Sequence, residues 1–257
     1  MIKAIKKITT LIFIIILCSQ TYGQNNFYFK IKDYDLASVY KPNSIVDYSG
    51  NKIKLNEPLG FIDDQFQRFQ IHFTSIKKSK TNRYEYEVVG KTKVNEKICS
   101  FKGIFKVISA EFKKNDETEK IDFPSYKQVS IKSKIILFEN KKKGGAGFIK
   151  GTLTTDLYIN DRGKLFYDAL NFEADGFSNN QLEGKWTSYK TNKSKKCNWG
   201  DYRIPNSDDF DIGDGEFRVD DKYVKNGWEN YKLAWGTYPE TPEVIEARRK
   251  ENKQWWK

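Results

Sequence analysis

Histidine, cysteine and arginine are all scarce in this chain, and each scarcity closes off a class of function. His72 is the only histidine among 257 residues. Hydrolase triads normally need a histidine base held by a third group, and zinc sites need several His or Cys ligands, so both have little to build on. Of three cysteines, Cys18 falls in the N-terminal leader, leaving Cys99 and Cys197. Seven arginines stand against many lysines, and arginine supplies the bidentate phosphate and base contacts that lysine cannot. The lysines run the length of the chain interleaved with acids, which reads as a solvated surface and argues against a nucleic-acid site. No apolar run after residue 17 is long enough to span a bilayer, so no membrane span is expected in the mature chain.

The first 23 residues read as a secretory signal peptide. Lys3, Lys6 and Lys7 form a positive n-region, and Leu11 to Leu17 an apolar h-region too short to span a membrane. Thr21-Tyr22-Gly23 places cleavage before Gln24 and predicts an exported, periplasmic or extracellular protein. Cys18 follows Leu17 rather than a small residue, which disfavours a lipid-modified cysteine. Removing 23 residues leaves 234, and removing three lysines from a net charge of +11 leaves +8. In an exported chain two cysteines normally pair, so a Cys99–Cys197 disulfide is expected.

Most of the mature chain alternates with period two, the pattern of half-buried strands. Phe27, Phe29 and Ile31 alternate with polar neighbours, as do Phe69, Ile71 and Phe73, then Tyr84, Tyr86 and Val88. Further strands are read at 104–112, 129–137, 147–160, 165–174 and 182–189. Polar breaks, of which Asn160-Asp161-Arg162-Gly163 is the clearest, join them as hairpins. Long amphipathic helices do not alternate with the strands, which excludes a parallel α/β sheet. The expected fold is all-β: an antiparallel up-and-down barrel over residues 24–190, with a β-sandwich as second choice. Residues 191–257 are expected to wrap the barrel irregularly. Thr241-Pro242-Glu243 reads as an N-cap, a first-turn proline and an early acid, opening a short helix to about Asn252.

Few residues suggest chemistry. Trp186, Tyr189, Trp199 and Tyr202 surround Cys197 in sequence, and with His72 they are the candidate ligand-binding residues. His72 lies opposite the Phe69/Ile71/Phe73 face, toward solvent or a polar interior. In the acidic run 208–216, Asp209, Asp211, Asp214 and Glu216 are candidate calcium ligands, although the spacing is not that of an EF-hand loop. Asp156, Asp168, Glu173 and Asp175 lie on adjacent expected strands and could face each other as a carboxylate pair for glycosidase-type chemistry.

The stretch Cys197-Asn198-Trp199-Gly200-Asp201-Tyr202-Arg203-Ile204-Pro205, with Asp209 to Phe217 and Asn226-Gly227-Trp228, resembles a C-terminal segment of exported bacterial proteins with no established activity. The long hairpins are similar in pattern to lipocalin- and avidin-like (calycin) barrels. Gly184-Lys185-Trp186 has the lipocalin Gly-x-Trp spacing but sits late in the chain. Closing such long alternating strands leaves an interior that can hold one small ligand, and no acid–base constellation accompanies them. The expected function is therefore a non-enzymatic binding module for a small apolar or amphipathic molecule inside the barrel. The alternatives are an accessory or inhibitor protein meeting another envelope protein, and a carboxylate-dependent hydrolase.

Overall fold

A computed structural model describes residues 26–47, 50–113, 126–236 and 238–257. The expected signal peptide and Cys18 lie outside the described residues. Eleven strands follow in chain order among them: β1 (Ser44–Val46), β2 (Lys52–Lys54), β3 (Leu59–Ile62), β4 (Gln67–Lys78), β5 (Glu85–Val94), β6 (Lys97–Phe112), β7 (Lys127–Glu139), β8 (Gly147–Ile159), β9 (Leu165–Tyr167), β10 (Asn179–Ser188) and β11 (Ser194–Asp201). β1 and β2 form a separate hairpin. From β3 through β8 each strand pairs antiparallel with the next. β10 then pairs with both β8 and β11, and β11 returns to β3. The result is a closed, eight-stranded antiparallel barrel. Closure removes the open edges that a sheet of this length would expose.

The period-two pattern places the core, and two bulges keep it in phase. Phe69, Ile71 and Phe73 of β4 are buried. The register shifts between Phe73 and Ser75, so the next buried residue is Ile76. In β6 a shift between Val107 and Ser109 brings Ala110 into the line of Phe105 and Val107. Each bulge adds one residue and so restores the inward face. Gly90 serves the same packing: a Cβ there would lie 2.5 Å from Cζ of Phe101.

Side chains fill the barrel. Phe73 packs edge-on to Phe101 and Phe105 at 6.0 and 5.7 Å between ring centroids, and lies 6.3 Å from Trp199. The N-terminal segment adds a plug made of helical turns α1 (Tyr28–Ile31) and α2 (Ala37–Tyr40). The Tyr40 ring lies 5.3 Å from both Tyr86 and Phe105, and its hydroxyl is 2.7 Å from that of Ser133. Asn180 Nδ2 donates to the Val39 carbonyl at 3.1 Å, and Lys78 Nζ to the carbonyls of Lys32 and Tyr34. The expected interior ligand space is therefore taken by the protein's own aromatic and aliphatic residues.

Three expectations are corrected. The strand expected at Phe27 to Ile31 is helical: Phe27 and Ile31, one helical turn apart, are buried, while Phe29 is 70% exposed. The barrel does not end at residue 190, because β11 closes it. β11 escapes the period-two reading because Cys197 to Asp201 are all buried, with the barrel core on one side and the C-terminal extension on the other. Cys99 and Cys197 are free and buried rather than paired. They stand on β6 and β11, four strands apart in either direction around the ring. Eight strands spaced about 4.8 Å apart close a ring roughly 12 Å or more wide, well beyond the ~7 Å Cα separation a disulfide tolerates.

The extension carries its own small core on the outer face of β3 and the turn after it. Phe61 and Phe66 meet Ile204, Phe210, Phe217, Val219 and Trp228. Phe66 stacks on Phe210 at 4.7 Å, and the Trp228 indole donates to the Phe66 carbonyl at 2.8 Å. Helices α3 (Glu229–Trp235) and α4 (Pro242–Glu251) follow and pack on each other. Thr241 caps α4 by accepting from Val244 N, with Pro242 in the first turn, as the sequence signal predicts.

Candidate functional site

The extension does not lie flush on the barrel. Between them opens a cleft of about 620 Å³, within the size range of small-molecule sites. One wall is the segment Lys54 to Gly60 with the start of β4. The loop 172–177 and the turn Asp201–Arg203 form the second, and Gly215–Phe217, α3 and the C-terminal residues the third.

The C-terminal residues are held there by three contacts to the barrel. Trp256 stacks on the His72 ring at 4.0 Å and 6°, and Lys91 Nζ donates to its carbonyl. Glu251 forms a bidentate pair with Arg68, at 2.7 and 2.5 Å, with both side chains largely buried. The Arg68 guanidinium also lies over the rings of Trp228 and Tyr231, at 4.9 and 5.5 Å. His72 Nδ1 is 3.0 Å from both carboxylate oxygens of Glu57. Burial pushes the His72 pKa down, Glu57 opposes this, and Lys41 and Lys91 add to the fall.

Asp201 also lines this cleft, and it is 3% exposed. Its Oδ2 accepts from the Tyr167 hydroxyl at 3.1 Å and from Asn180 Nδ2 at 2.8 Å. Burial pushes its pKa up to about 7 against the pull of those two bonds, and the charge on Glu57 raises it further. Tyr202 adopts a positive φ of 64°. Its ring sits among Phe172 and Phe177 at 5.2 and 5.3 Å.

The structure scatters the five candidate ligand residues. Tyr202 lines the cleft, and His72 supports it from behind Trp256. Trp199 is fully buried in the barrel core, stacked on Phe69 at 6.0 Å. Trp186 and Tyr189 lie at the opposite end of β10. There they hold Glu139, through a 2.9 Å bond to its carboxylate and a 3.3 Å bond to its carbonyl.

The candidate metal ligands do not converge either. Asp209 is bound by Lys222 and the Tyr223 hydroxyl. Asp211 accepts from Arg203 and from the backbone N–H groups of Gly213 and Arg218. The Asp214 carbonyl also accepts from Arg203, and Glu216 lines the cleft. Among the described residues no three His, Cys, Asp or Glu side chains are placed to hold one metal ion.

Of the carboxylates considered for acid–base work, Glu173 and Asp175 reach the cleft and Asp156 and Asp168 do not. Asp168 is buried and accepts from Gln128 at 3.1 Å, and burial raises its pKa.

The sequence reading missed Glu57, Arg68, Asp201 and Glu251. Arg68 and Glu251 meet only through folding, so no local spacing marks them. The aromatic pair Trp255-Trp256, which follows the polar helix α4, is a local signal that the C-terminus packs against something. Comparison of the chain with known protein families, with curated proteins and with solved structures returns no match.

Proposed function

We propose that this protein is an exported, non-enzymatic binding module for a small amphipathic molecule, and that the ligand seats in the cleft beside the barrel rather than within it. The observation that carries this reading is the 620 Å³ cleft itself, which combines aromatic faces with polar groups, next to a barrel interior packed by side chains. Mass spectrometry of the mature protein purified from its exporting host tests it. Extra mass in the native spectrum that is absent under denaturing conditions supports the reading. A bare chain in both, together with no binding of added amphiphiles, removes it.

One observation favours a second reading, a carboxylate-dependent hydrolase. A general acid works best with a pKa near the operating pH, and Asp201 at about 7 shares the cleft with Glu57. Turnover of chromogenic glycosides that is abolished in Asp201→Asn and in Glu57→Gln would favour it over simple binding.

A further inference from the structure

We infer that the ligand of this cleft carries a positive charge, as an amine or guanidinium joined to an apolar body. The inference rests on the binding reading above and adds the chemical class.

Charge sign is the first argument. The chain has a net charge of +11 with its lysines spread along it, so an arbitrary concavity on its surface should be basic. This one is acidic. Glu57, Glu173, Asp175 and Glu216 all line it and are solvent-exposed. Among the described residues Glu173, Asp175 and Glu216 form no ion pair, and Glu57 pairs with His72, whose pKa burial pushes down.

The cations of the cleft are already engaged. Arg68 is held by Glu251 in a bidentate pair. Arg203 bonds Asp211 at 2.9 Å and donates to the carbonyls of Gly213, Asp214 and Gly215 at 2.5–3.1 Å. Among the described residues that line the cleft, Lys54 alone remains against the uncompensated acids. A concave site lined by one sign of charge focuses its potential on an incoming ion of the other sign.

The aromatic lining is the second argument. Tyr231, Trp235 and Trp255 line the same cleft. The protein already seats its own guanidinium groups on this wall: Arg68 lies 5.5 Å from the Tyr231 ring and Arg248 6.0 Å from Trp235. Aromatic faces attract cations electrostatically while covering an apolar body, and anions gain nothing from them. Acids without cationic partners and aromatic faces together select a cationic amphiphile over an anionic or neutral one.

Three probes with one tail and different heads test this: decyltrimethylammonium, decyl maltoside and decyl sulfate. Each is titrated calorimetrically into the mature protein below its micelle concentration, at about 0.15 M salt, where surface attraction is screened beyond roughly 8 Å. The cation should bind at least about tenfold more tightly than either of the others, a ratio worth about 1.4 kcal/mol. In a Glu173→Gln/Glu216→Gln variant, both sites being exposed, that ratio should fall severalfold. Sulfate or maltoside binding as tightly as the cation, or a ratio unchanged in the double variant, overturns the cationic class and leaves the binding reading standing. If none of the three binds, both fall together.

Discussion

At Asp201 the folded protein keeps a proton that the unfolded chain gives up. Its pKa rises from 3.8 to about 7, chiefly through burial. Stability from this group is complete below pH 3.8 and is lost as pH rises toward 7. Asp201→Asn keeps an oxygen acceptor for Tyr167 and Asn180 without the charge. The variant should melt above the parent at pH 8, and the gap should shrink steadily toward pH 5 in paired thermal melts. A variant less stable than the parent at pH 8 would contradict the assignment.

The two cysteines give a second test at this scale. Both are buried and unpaired, and burial raises both thiol pKa values. In the chain from Gln24 onward, a thiol reagent should find no reactive group in the native state and two, Cys99 and Cys197, in denaturant without reductant. A count of zero in denaturant would restore the disulfide.

At the scale of elements, the docking of the C-terminal segment decides whether there is a cleft. Arg68→Ala removes the bidentate pair and leaves Glu251 largely buried, which should cost about 2 kcal/mol in denaturant unfolding. His72 makes the same docking sensitive to acid. Because its folded pKa is depressed, its contribution is present above pH 6.5 and is lost as pH falls below that value. Comparing melting temperatures between pH 7.5 and 5.5, the parent should lose more than His72→Gln, which can still donate to Glu57. Equal slopes would mean that His72 titrates as it does in water. The plug at the barrel end is an element of the same kind, a short helical segment whose burial comes from the partner it fills.

For the whole molecule, the packed barrel sets both the stability and where a ligand can go. Phe105 is fully buried between Tyr40 and Phe73. Its replacement by alanine should cost about 3–5 kcal/mol, since the surrounding strands cannot collapse into the space. The same variant should leave amphiphile affinity at the cleft unchanged as long as the protein is folded. Lost affinity in a folded Phe105→Ala would move the ligand into the barrel.

Much of this architecture was legible before folding was considered. β4, β5, β7, β8 and β10 each leave one face partly to solvent, and solvent on one face writes alternation into the chain. The cap of α4 was legible too, because Thr241, Pro242 and Glu243 act on one another within a single turn. β11 was not, because both of its faces are covered. The segment Phe27 to Ile31 misled because four or five residues satisfy period two and period 3.6 equally well.

The amino-acid sequence by itself therefore determined the fold class, the scarcity of histidine and cysteine chemistry, and the helix at the end. Tertiary structure alone decided the rest. It set the two cysteines on opposite walls, filled the barrel with its own aromatics, and gathered acids from residues 57, 173, 175 and 216 into one cleft. The physical reason is range: alternation and capping are interactions between neighbours, whereas the cleft is made by contacts spanning nearly 200 residues, which no local pattern records.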